Sequence, residues 1–334
     1  MPFRRHLTVV LSVVTTIVAS AISASAQPGT LVVVNKAANS ASIIDVASGK
    51  NLATLPTGRG PHEVVITGDG STAVVTDYGD RTGNNKLTVI NVPELRVART
   101  IDLGEYRRPH GIAFLPGDTL VAVTSEEAQA VVVVRVADGA IVHTLSTDQR
   151  GSHMLAITGD GATIYTGNIA DATVTELDME TGRRTDLFST PPQPEAIAVT
   201  ADGNEVWVGS NSEGKVSVID TETGQIDAAI EGFTWPYRIL FTPDNRHVLV
   251  PDFRAHQLWI IDRDAREVLE VMQFDGAGPQ GIVLSPDGKL VFHSMSLEDR
   301  IAVIDLEARS IVRYLTAGAN PDGVAYTELV VGGR

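Results

Sequence analysis

A short motif recurs seven times along this chain of 334 residues, at almost even intervals. PHEVVITGDG is a full copy of it, and the first residue of each copy, which we call the anchor, is one of Pro61, Pro109, Ser152, Pro194, Pro236, Pro279 and Pro321. Successive anchors are 48, 43, 42, 42, 43 and 42 residues apart. A sustained period of this length indicates a repeat architecture in which each unit packs on its neighbours.

Each repeat contains four short apolar runs, rich in β-branched residues and bounded by Gly, Asp, Asn or Pro. In the repeat that begins at Pro194 these runs are AIAVT, VWVGS, VSVID and QIDAAI. Runs of this length and composition predict β-strands, and the Asp-Gly pairs after the first run predict tight hairpin turns. Four strands in about 42 residues is typical of one blade of a β-propeller.

The two ends of the chain supply complementary parts of one blade. The segments LVVVNK, SIIDV and NLATL near the start match strands two to four, and PDGVAYTE at the end matches strand one. Sharing a blade closes the ring and leaves no exposed sheet edge at its ends. We therefore predict an all-β fold: one domain over residues 27–334, a seven-bladed β-propeller of four-stranded antiparallel blades closed by its terminal strands.

The repeats resemble a known family. The patterns P-x-x-[IV]-[AV]-[VIF]-[TS]-x-D-G and V-x-V-I-D-x-x-T-G are similar to those of the YVTN-type, or YncE-like, seven-bladed propellers. The resemblance covers about residues 30–327. It implies an exported binding or scaffold protein and no particular reaction.

The first 26 residues have the layout of a secretory signal peptide. Arg4 and Arg5 precede an apolar run from Leu7 to Ile22, and Ala24-Ser25-Ala26 offers small residues for cleavage after Ala26. We expect a periplasmic or secreted protein with no membrane span after cleavage, the alternative being an N-terminal membrane anchor. The absence of cysteine suits an oxidising compartment and excludes thiol chemistry and disulfides.

Charge limits the choice of partners. The formal net charge is −15, and it becomes −17 once Arg4 and Arg5 are removed. A nucleic-acid-binding protein needs a basic face, so this class is not expected. The expected partner is a small anion or an exported protein, and the expected state is a monomer.

Function is sought where the repeats differ from one another. The residue after each anchor lies where the innermost strand begins, around the mouth of the central channel; we call this set the axial ring, and it comprises His62, His110, His153, Glu195, Tyr237, Gln280 and Asp322. Imidazole and carboxylate are ligands for zinc, copper, iron or nickel. The three histidines and Glu195 therefore predict either one divalent metal ion or a metal-free polar mouth that binds ligand through Tyr237, Gln280 and Asp322.

A second set, at the end of strand two, is expected to open on the same face: Asn35, Asp77, Ser125, Asn168, Ser210, Asp252 and Met295. We call it the strand-end ring. Asp77 and Asp252 of this set are candidate general bases, as is Glu195 of the axial ring. Asn168 is a candidate ligand contact. The alternative is that these residues only begin turns, where Asn, Asp and Ser are favoured.

Arginines precede three of the anchors. Arg59, Arg107 and Arg150, with Arg238 beside Tyr237, are candidates to bind a carboxylate or phosphate. The insertion Tyr78–Lys86 explains the 48-residue interval, and it is either a partial lid or simple length variation. His293 replaces the valine of other repeats and is expected to be buried and hydrogen-bonded.

Three functions remain open. The first is an exported propeller that binds a small, anionic ligand, a metal ion or a partner protein at the channel mouth. The second is a metal-dependent hydrolase or lyase that resembles a lactonase. It is suggested only by the existence of seven-bladed propellers with such activities. The third is a structural component of the cell envelope. The first is favoured.

Overall fold

The computed structural model describes residues 27–332, which form seven four-stranded antiparallel sheets arranged as blades in a ring. The predicted seven-bladed β-propeller is therefore confirmed. The predicted signal peptide lies outside the described residues. Within residues 27–332, no helix is long and apolar enough to span a membrane.

The blades are numbered from the one that contains the N-terminal strands. Blade 1 holds β1 (Thr30–Asn35), β2 (Ser40–Asp45), β3 (Asn51–Pro56) and β28 (Pro321–Thr327). Blade 2 holds β4 (Pro61–Ile66), β5 (Thr72–Asp77), β6 (Lys86–Asn91) and β7 (Arg96–Asp102). Blade 3 holds β8 (Pro109–Phe114), β9 (Leu120–Ser125), β10 (Ala130–Arg135) and β11 (Ile141–Ser146). Blade 4 holds β12 (Ser152–Ile157), β13 (Thr163–Asn168), β14 (Thr173–Asp178) and β15 (Arg183–Ser189).

The last three blades follow the same order. Blade 5 holds β16 (Pro194–Val199), β17 (Glu205–Ser210), β18 (Lys215–Asp220) and β19 (Ile226–Glu231). Blade 6 holds β20 (Leu240–Phe241), β21 (His247–Asp252), β22 (Gln257–Asp262) and β23 (Glu267–Gln273). Blade 7 holds β24 (Pro279–Leu284), β25 (Leu290–Met295), β26 (Arg300–Asp305) and β27 (Ser310–Thr316).

The ends of the described chain meet in blade 1, as predicted. Strand β28 pairs antiparallel with β1, and Leu31 lies opposite Tyr326 in this ladder. The order β28-β1-β2-β3 makes the C-terminal strand the innermost strand of this blade. Backbone hydrogen bonds thus close the ring, and Asp322 is carried to the axis.

The hydrophobic core lies between blades. Alternate residues of β1 point to opposite faces of the sheet: Val33 packs with Phe292 of blade 7, whereas Val32 and Val34 pack with Val75 of blade 2. Both faces of the inner strands are therefore buried, which explains their unbroken apolar runs.

Buried polar residues hold the ends of the second strands. Asp77 accepts hydrogen bonds from the backbone amide of Gly58, at 2.9 Å, and from the hydroxyl of Thr88, at 2.8 Å. Asp252 accepts from the backbone amides of Thr234, Trp235 and Ala255. Both carboxylates are fully buried. Their partners are groups of the chain itself, so the structure places these candidate bases as caps of turns.

In blades 1 and 4, an asparagine caps the turn at the end of the second strand. Asn35 accepts from the amide of Gly318 at 2.9 Å and donates to Ser42 at 3.0 Å. Asn168, a candidate ligand contact, donates to Thr175 at 2.8 Å and is fully buried. Asp77 therefore occupies a position that a neutral amide fills equally well.

Replacing Asp77 with Asn is expected to stabilise the protein at alkaline pH. Burial raises the pKa of Asp77 to about 7 despite its hydrogen bonds. The folded state then holds a proton that the unfolded state has lost, so Asp77 lowers stability progressively as pH rises from 4 to 7. D77N should be more stable than the parent by roughly 1–3 kcal/mol at pH 8 and nearly equal at pH 4 in urea unfolding. An equal difference at both pH values would contradict this account.

Candidate functional site

The axial ring forms a buried polar layer around one mouth of the channel. All seven of its members are at most 8% exposed. Beside them lies a cavity of about 240 Å³, which we call the mouth cavity; it is lined by Lys36, His62, Tyr78, His110, His153, Glu195, Trp235, Tyr237, Phe253, Arg254 and Gln280. Six of the seven axial-ring residues therefore line one cavity, and Asp322 lies behind His62.

The three histidines stack in a row. The ring centres of His62 and His110 are 4.3 Å apart, and those of His110 and His153 are 3.7 Å apart. Tyr78 meets His62 and His110 edge-on, at 5.1 and 5.2 Å. Consecutive blades thus bring the imidazoles together face to face, with His110 in the middle.

His62 is held by a carboxylate and an ammonium. Its Nδ1 lies 2.8 Å from Oδ2 of Asp322, and its Nε2 contacts Nζ of Lys36. Tyr237 donates to the other oxygen of Asp322 at 3.2 Å. Burial raises the pKa of Asp322, but His62 and Lys36 outweigh it and hold the pKa well below its usual value. Asp322 is therefore a carboxylate with its charge compensated.

His153, at the other end of the row, lies between two carboxylates. Its Nδ1 contacts Glu126, and its Nε2 lies 3.2 Å from Oε1 of Glu195. Glu126 also accepts from the hydroxyl of Tyr78 at 2.7 Å, and Glu195 accepts from Asn211 at 2.7 Å. Burial lowers the pKa of His153, but the two carboxylates outweigh it and raise the pKa to about 9. His153 is thus a cation at neutral pH.

His110 differs from both neighbours. It is 1% exposed, and neither of its ring nitrogens has a hydrogen-bond partner within residues 27–332. Burial, together with the cations of His153, Arg238 and Lys36, holds the pKa of His110 well below 6.5. It is therefore a neutral imidazole with one N–H donor and one acceptor free. Buried polar groups almost always have partners, so this pair of nitrogens points to a bound molecule.

A buried ion pair lies beneath this layer. Arg238, 8% exposed, donates to Glu63 from across the ring and to the backbone oxygen of Tyr237 at 2.7 Å. Both charged groups line a smaller cavity of about 90 Å³. Arg238 is not part of the mouth cavity wall, so the structure places this candidate ligand contact below the ligand-accessible space.

The remaining arginines lie away from the cavity. Arg59 pairs with Asp80, and Arg150 pairs with Asp171. Their side chains are 56% and 69% exposed. Arg107 is 43% exposed and pairs with Glu127. The structure does not bring these three candidates to the mouth cavity, because acids and carbonyl groups of nearby loops engage them first.

Two of these arginines hold the insertion Tyr78–Lys86. Arg59 donates to Asp80 at 3.0 Å, and Arg107 donates to the backbone oxygen of Thr82 at 2.5 Å. The first residue of the insertion, Tyr78, covers part of the histidine row. The loop is thus anchored beside the mouth and contributes one wall residue.

Five residues around the axis that the sequence analysis did not single out as site residues share one position. Each directly follows the strand-end ring, and the set comprises Lys36, Glu126, Asn211 and Phe253, together with Tyr78, which sequence analysis treated only as part of the insertion. Successive side chains of a strand point to opposite faces, so a choice one residue too early selects turn caps instead of residues that line the cavity or contact the axial ring. The seven-fold repeat could have identified these residues, because they occupy the same position in their repeats.

His293 lies outside the axial ring, in the core of blade 7. His293 is fully buried, and its Nδ1 lies 2.8 Å from the backbone oxygen of Gly281. Burial lowers the pKa of His293 to about 4. It is a neutral core residue, as predicted.

The geometry also defines where metal-ligand atoms converge. Among residues 27–332, one group of three brings its candidate ligand atoms within 4.8 Å of one another: His62, Glu63 and Asp322. The histidine row is not such a group, because stacking separates His62 from His153 by a whole imidazole.

Comparison with known structures agrees with the fold. Hydrazine synthase of Kuenenia stuttgartiensis is 17% identical, with a TM-score of 0.66, over 78% of this chain and 88% of that one. A functionally unknown protein from Desulfotomaculum acetoxidans DSM 771 is 16% identical, with a TM-score of 0.74, over 89% and 98%. Dihydro-heme d1 dehydrogenase NirN in complex with DHE is 14% identical, with a TM-score of 0.66, over 89% and 74%.

These likenesses show the fold class alone, which is that of a seven-bladed β-propeller. No protein-family model matches the chain, and no curated protein matches it either. The YVTN-type resemblance therefore stays a prediction from the repeat residues.

Stability is expected to fall between neutral and alkaline pH because of His153. The pKa of His153 is raised in the folded state, so its contribution is complete below about pH 6.5 and is lost as pH rises through 9. The stability difference between the parent and H153Q should shrink by roughly 1–3 kcal/mol from pH 6 to pH 10. Urea unfolding measures this, with H143Q, at an exposed position, as the control. A constant difference would refute the assignment of charge.

Proposed function

We propose that this protein is an exported binding protein whose mouth cavity holds a small anionic molecule. The observation that carries the proposal is His110, a buried neutral imidazole with both nitrogens free. The amide oxygen of Gln280 is buried in the same wall and is also without a partner within residues 27–332. A ligand that accepts from His110 and donates to Gln280 would satisfy both groups.

Local charge favours an anion although the whole chain is acidic. The carboxylates of Asp322, Glu126 and Glu195 are each engaged by neighbouring donors. Lys36 and Arg254 line the same cavity, and no salt bridge joins Arg254 to a carboxylate in the described part of the chain. The cations that keep a proton off His110 also favour negative charge beside it.

The size of the cavity limits the ligand. About 240 Å³ is below the range of roughly 300–1,000 Å³ that is usual for drug-sized ligands. One of the similar structures is a complex with DHE, which is in keeping with a ligand-binding role for a chain of this fold. The cavity here suits a smaller molecule.

Removing either cation of the wall is expected to weaken anion binding. The probes are inorganic phosphate and benzoate, and binding is followed by calorimetry and by thermal shift. K36Q should lower affinity about three- to thirty-fold, because it removes one charge-assisted hydrogen bond, and R254Q should lower it about two- to three-fold, because it removes a positive charge that lines the cavity. R183Q, at an exposed arginine of blade 4, is the matched control and should leave affinity unchanged. Equal affinity in all four proteins, or no binding of either probe, would reject the proposal.

The second candidate function is a metal centre, which the alternative of a metal-dependent hydrolase or lyase would require. It is favoured by the convergence of His62, Glu63 and Asp322 and by the free nitrogens of His110. Lys36 and Arg238 oppose it, because they already place cations against these carboxylates. Zinc, copper, iron and nickel are the ions that this donor set suits.

Metal analysis of protein purified without chelator or affinity tag tests this candidate. One equivalent of a single transition metal, lost in H62A and H110A but kept in H247A, would establish a metal centre and call for lactone and lyase substrates. We expect less than one tenth of an equivalent in the parent, since the flanking cations disfavour a divalent ion.

A further inference from the structure

Blade 6 departs from the other six blades where it enters the mouth. The residue before the anchor has a positive φ in six blades, between 54° and 71°, at Gly60, Arg108, Gly151, Gln193, Gly278 and Asn320. In blade 6 this residue is Trp235, and it is not in the left-handed region. The innermost strand of blade 6 is also reduced to Leu240–Phe241, against six or seven residues elsewhere. The chain therefore approaches the axis by a different path in this blade alone.

The altered path builds an aromatic wall. Trp235 and Tyr237 flank the anchor Pro236, and Phe253 follows the second strand; all three aromatic side chains line the mouth cavity. The ring centres of Tyr237 and Phe253 are 5.9 Å apart, and the guanidinium of Arg254 lies 3.8 Å over the ring of Trp235. Only 5% of the chain is aromatic, yet one blade contributes three aromatic residues to this cavity.

The wall is positioned by the turn cap Asp252 and by a backbone hydrogen bond that has a counterpart in every blade. Asp252 accepts from the backbone amide of Trp235 at 3.0 Å, and the amide of Phe253 donates back to the oxygen of Trp235 at 3.0 Å. These bonds connect the two segments that carry Trp235 and Phe253. The aromatic surface is therefore held in place before any ligand arrives, which lowers the entropic cost of binding.

The opposite wall is polar. In a ring of seven blades, blade 6 faces blades 2 and 3, and the contact of Arg238 with Glu63 shows that side chains span this distance. Blades 2 and 3 supply His62 and His110, and Lys36 lies beside them. The mouth cavity thus has an aromatic side, on which Arg254 also lies, and, across from it, a side that donates hydrogen bonds and carries positive charge.

We infer that the ligand of the mouth cavity is a planar aromatic acid. Its ring lies against Trp235 and Phe253, and its acid group accepts hydrogen bonds from His110 and Lys36. This inference rests on the proposed anion-binding function and adds the shape of the ligand. Stacking between flat rings provides attraction beyond the burial of apolar area, and a puckered ring of the same size does not match it.

The test compares benzoate with cyclohexanecarboxylate, which share their carboxylate and the number of ring carbons and differ in flatness. Affinity is measured by calorimetry and by the shift of tryptophan indole N–H resonances, assigned with W235L. Benzoate should bind about ten-fold more tightly than cyclohexanecarboxylate to the parent protein. In W235L the two affinities should become equal, and in W235F the preference should be kept.

The control is a second stacked arginine–aromatic pair. Arg300 lies 3.5 Å over the ring of Tyr314, which is 41% exposed on the outer strand of blade 7. Y314L should keep the preference for benzoate, and its thermal unfolding gives the baseline for loss of such a pair. F253L provides a second cavity variant if W235L does not fold.

The possible failures are distinguishable. Equal affinity of the two acids in the parent protein overturns the aromatic inference and leaves anion binding intact. A preference that persists in W235L and F253L also overturns it, because the aromatic wall would not be its source. No binding of either acid at millimolar concentration overturns both this inference and the proposed function.

Discussion

Ring closure by the pairing of β1 with β28 is the constraint on which the site depends. This ladder makes the C-terminal strand the innermost strand of blade 1, and Asp322 on that strand then lies 2.8 Å from His62 of blade 2. Lys36, which directly follows β1, reaches the same pair. Without the ladder, the compensation of charge around His62 would be lost together with one side of the mouth.

Compensation of charge explains the layer around the axis. Each buried carboxylate has a donor or cation at hand: Asp322 has His62, Glu195 has His153 and Asn211, and Glu63 has Arg238. Burial of paired charges with their hydrogen bonds satisfied is tolerated, whereas an unpaired charge would be costly. Within residues 27–332, the two ring nitrogens of His110 and the amide oxygen of Gln280 have no hydrogen-bond partner. These unpartnered polar groups, in a layer whose other polar groups are hydrogen-bonded, are the groups that a ligand in the mouth cavity would bind.

The repeat pattern predicts the residues that surround the mouth cavity to within one position on each strand. The anchors identified His62, His110, His153 and Glu195 because the repeat sets the distance from turn to axis. It failed for Asp77 and Asp252, since period-two alternation turns a neighbouring residue to the opposite face. It failed for Arg59, Arg107 and Arg150 because a loop's own acids and carbonyls compete for guanidinium groups, and spacing does not reveal that competition.

The sequence by itself determined the number of blades, the closure of the ring and which side chains of the innermost strands face the axis. These follow from a period of about 42 residues and from strands that bury both faces. Only the tertiary structure decided that the histidines stack instead of converging, that His153 is charged while His110 is neutral, and that blade 6 presents Trp235 to the cavity. Such properties depend on distances of a few ångströms between residues from different blades, and a linear pattern does not encode those distances.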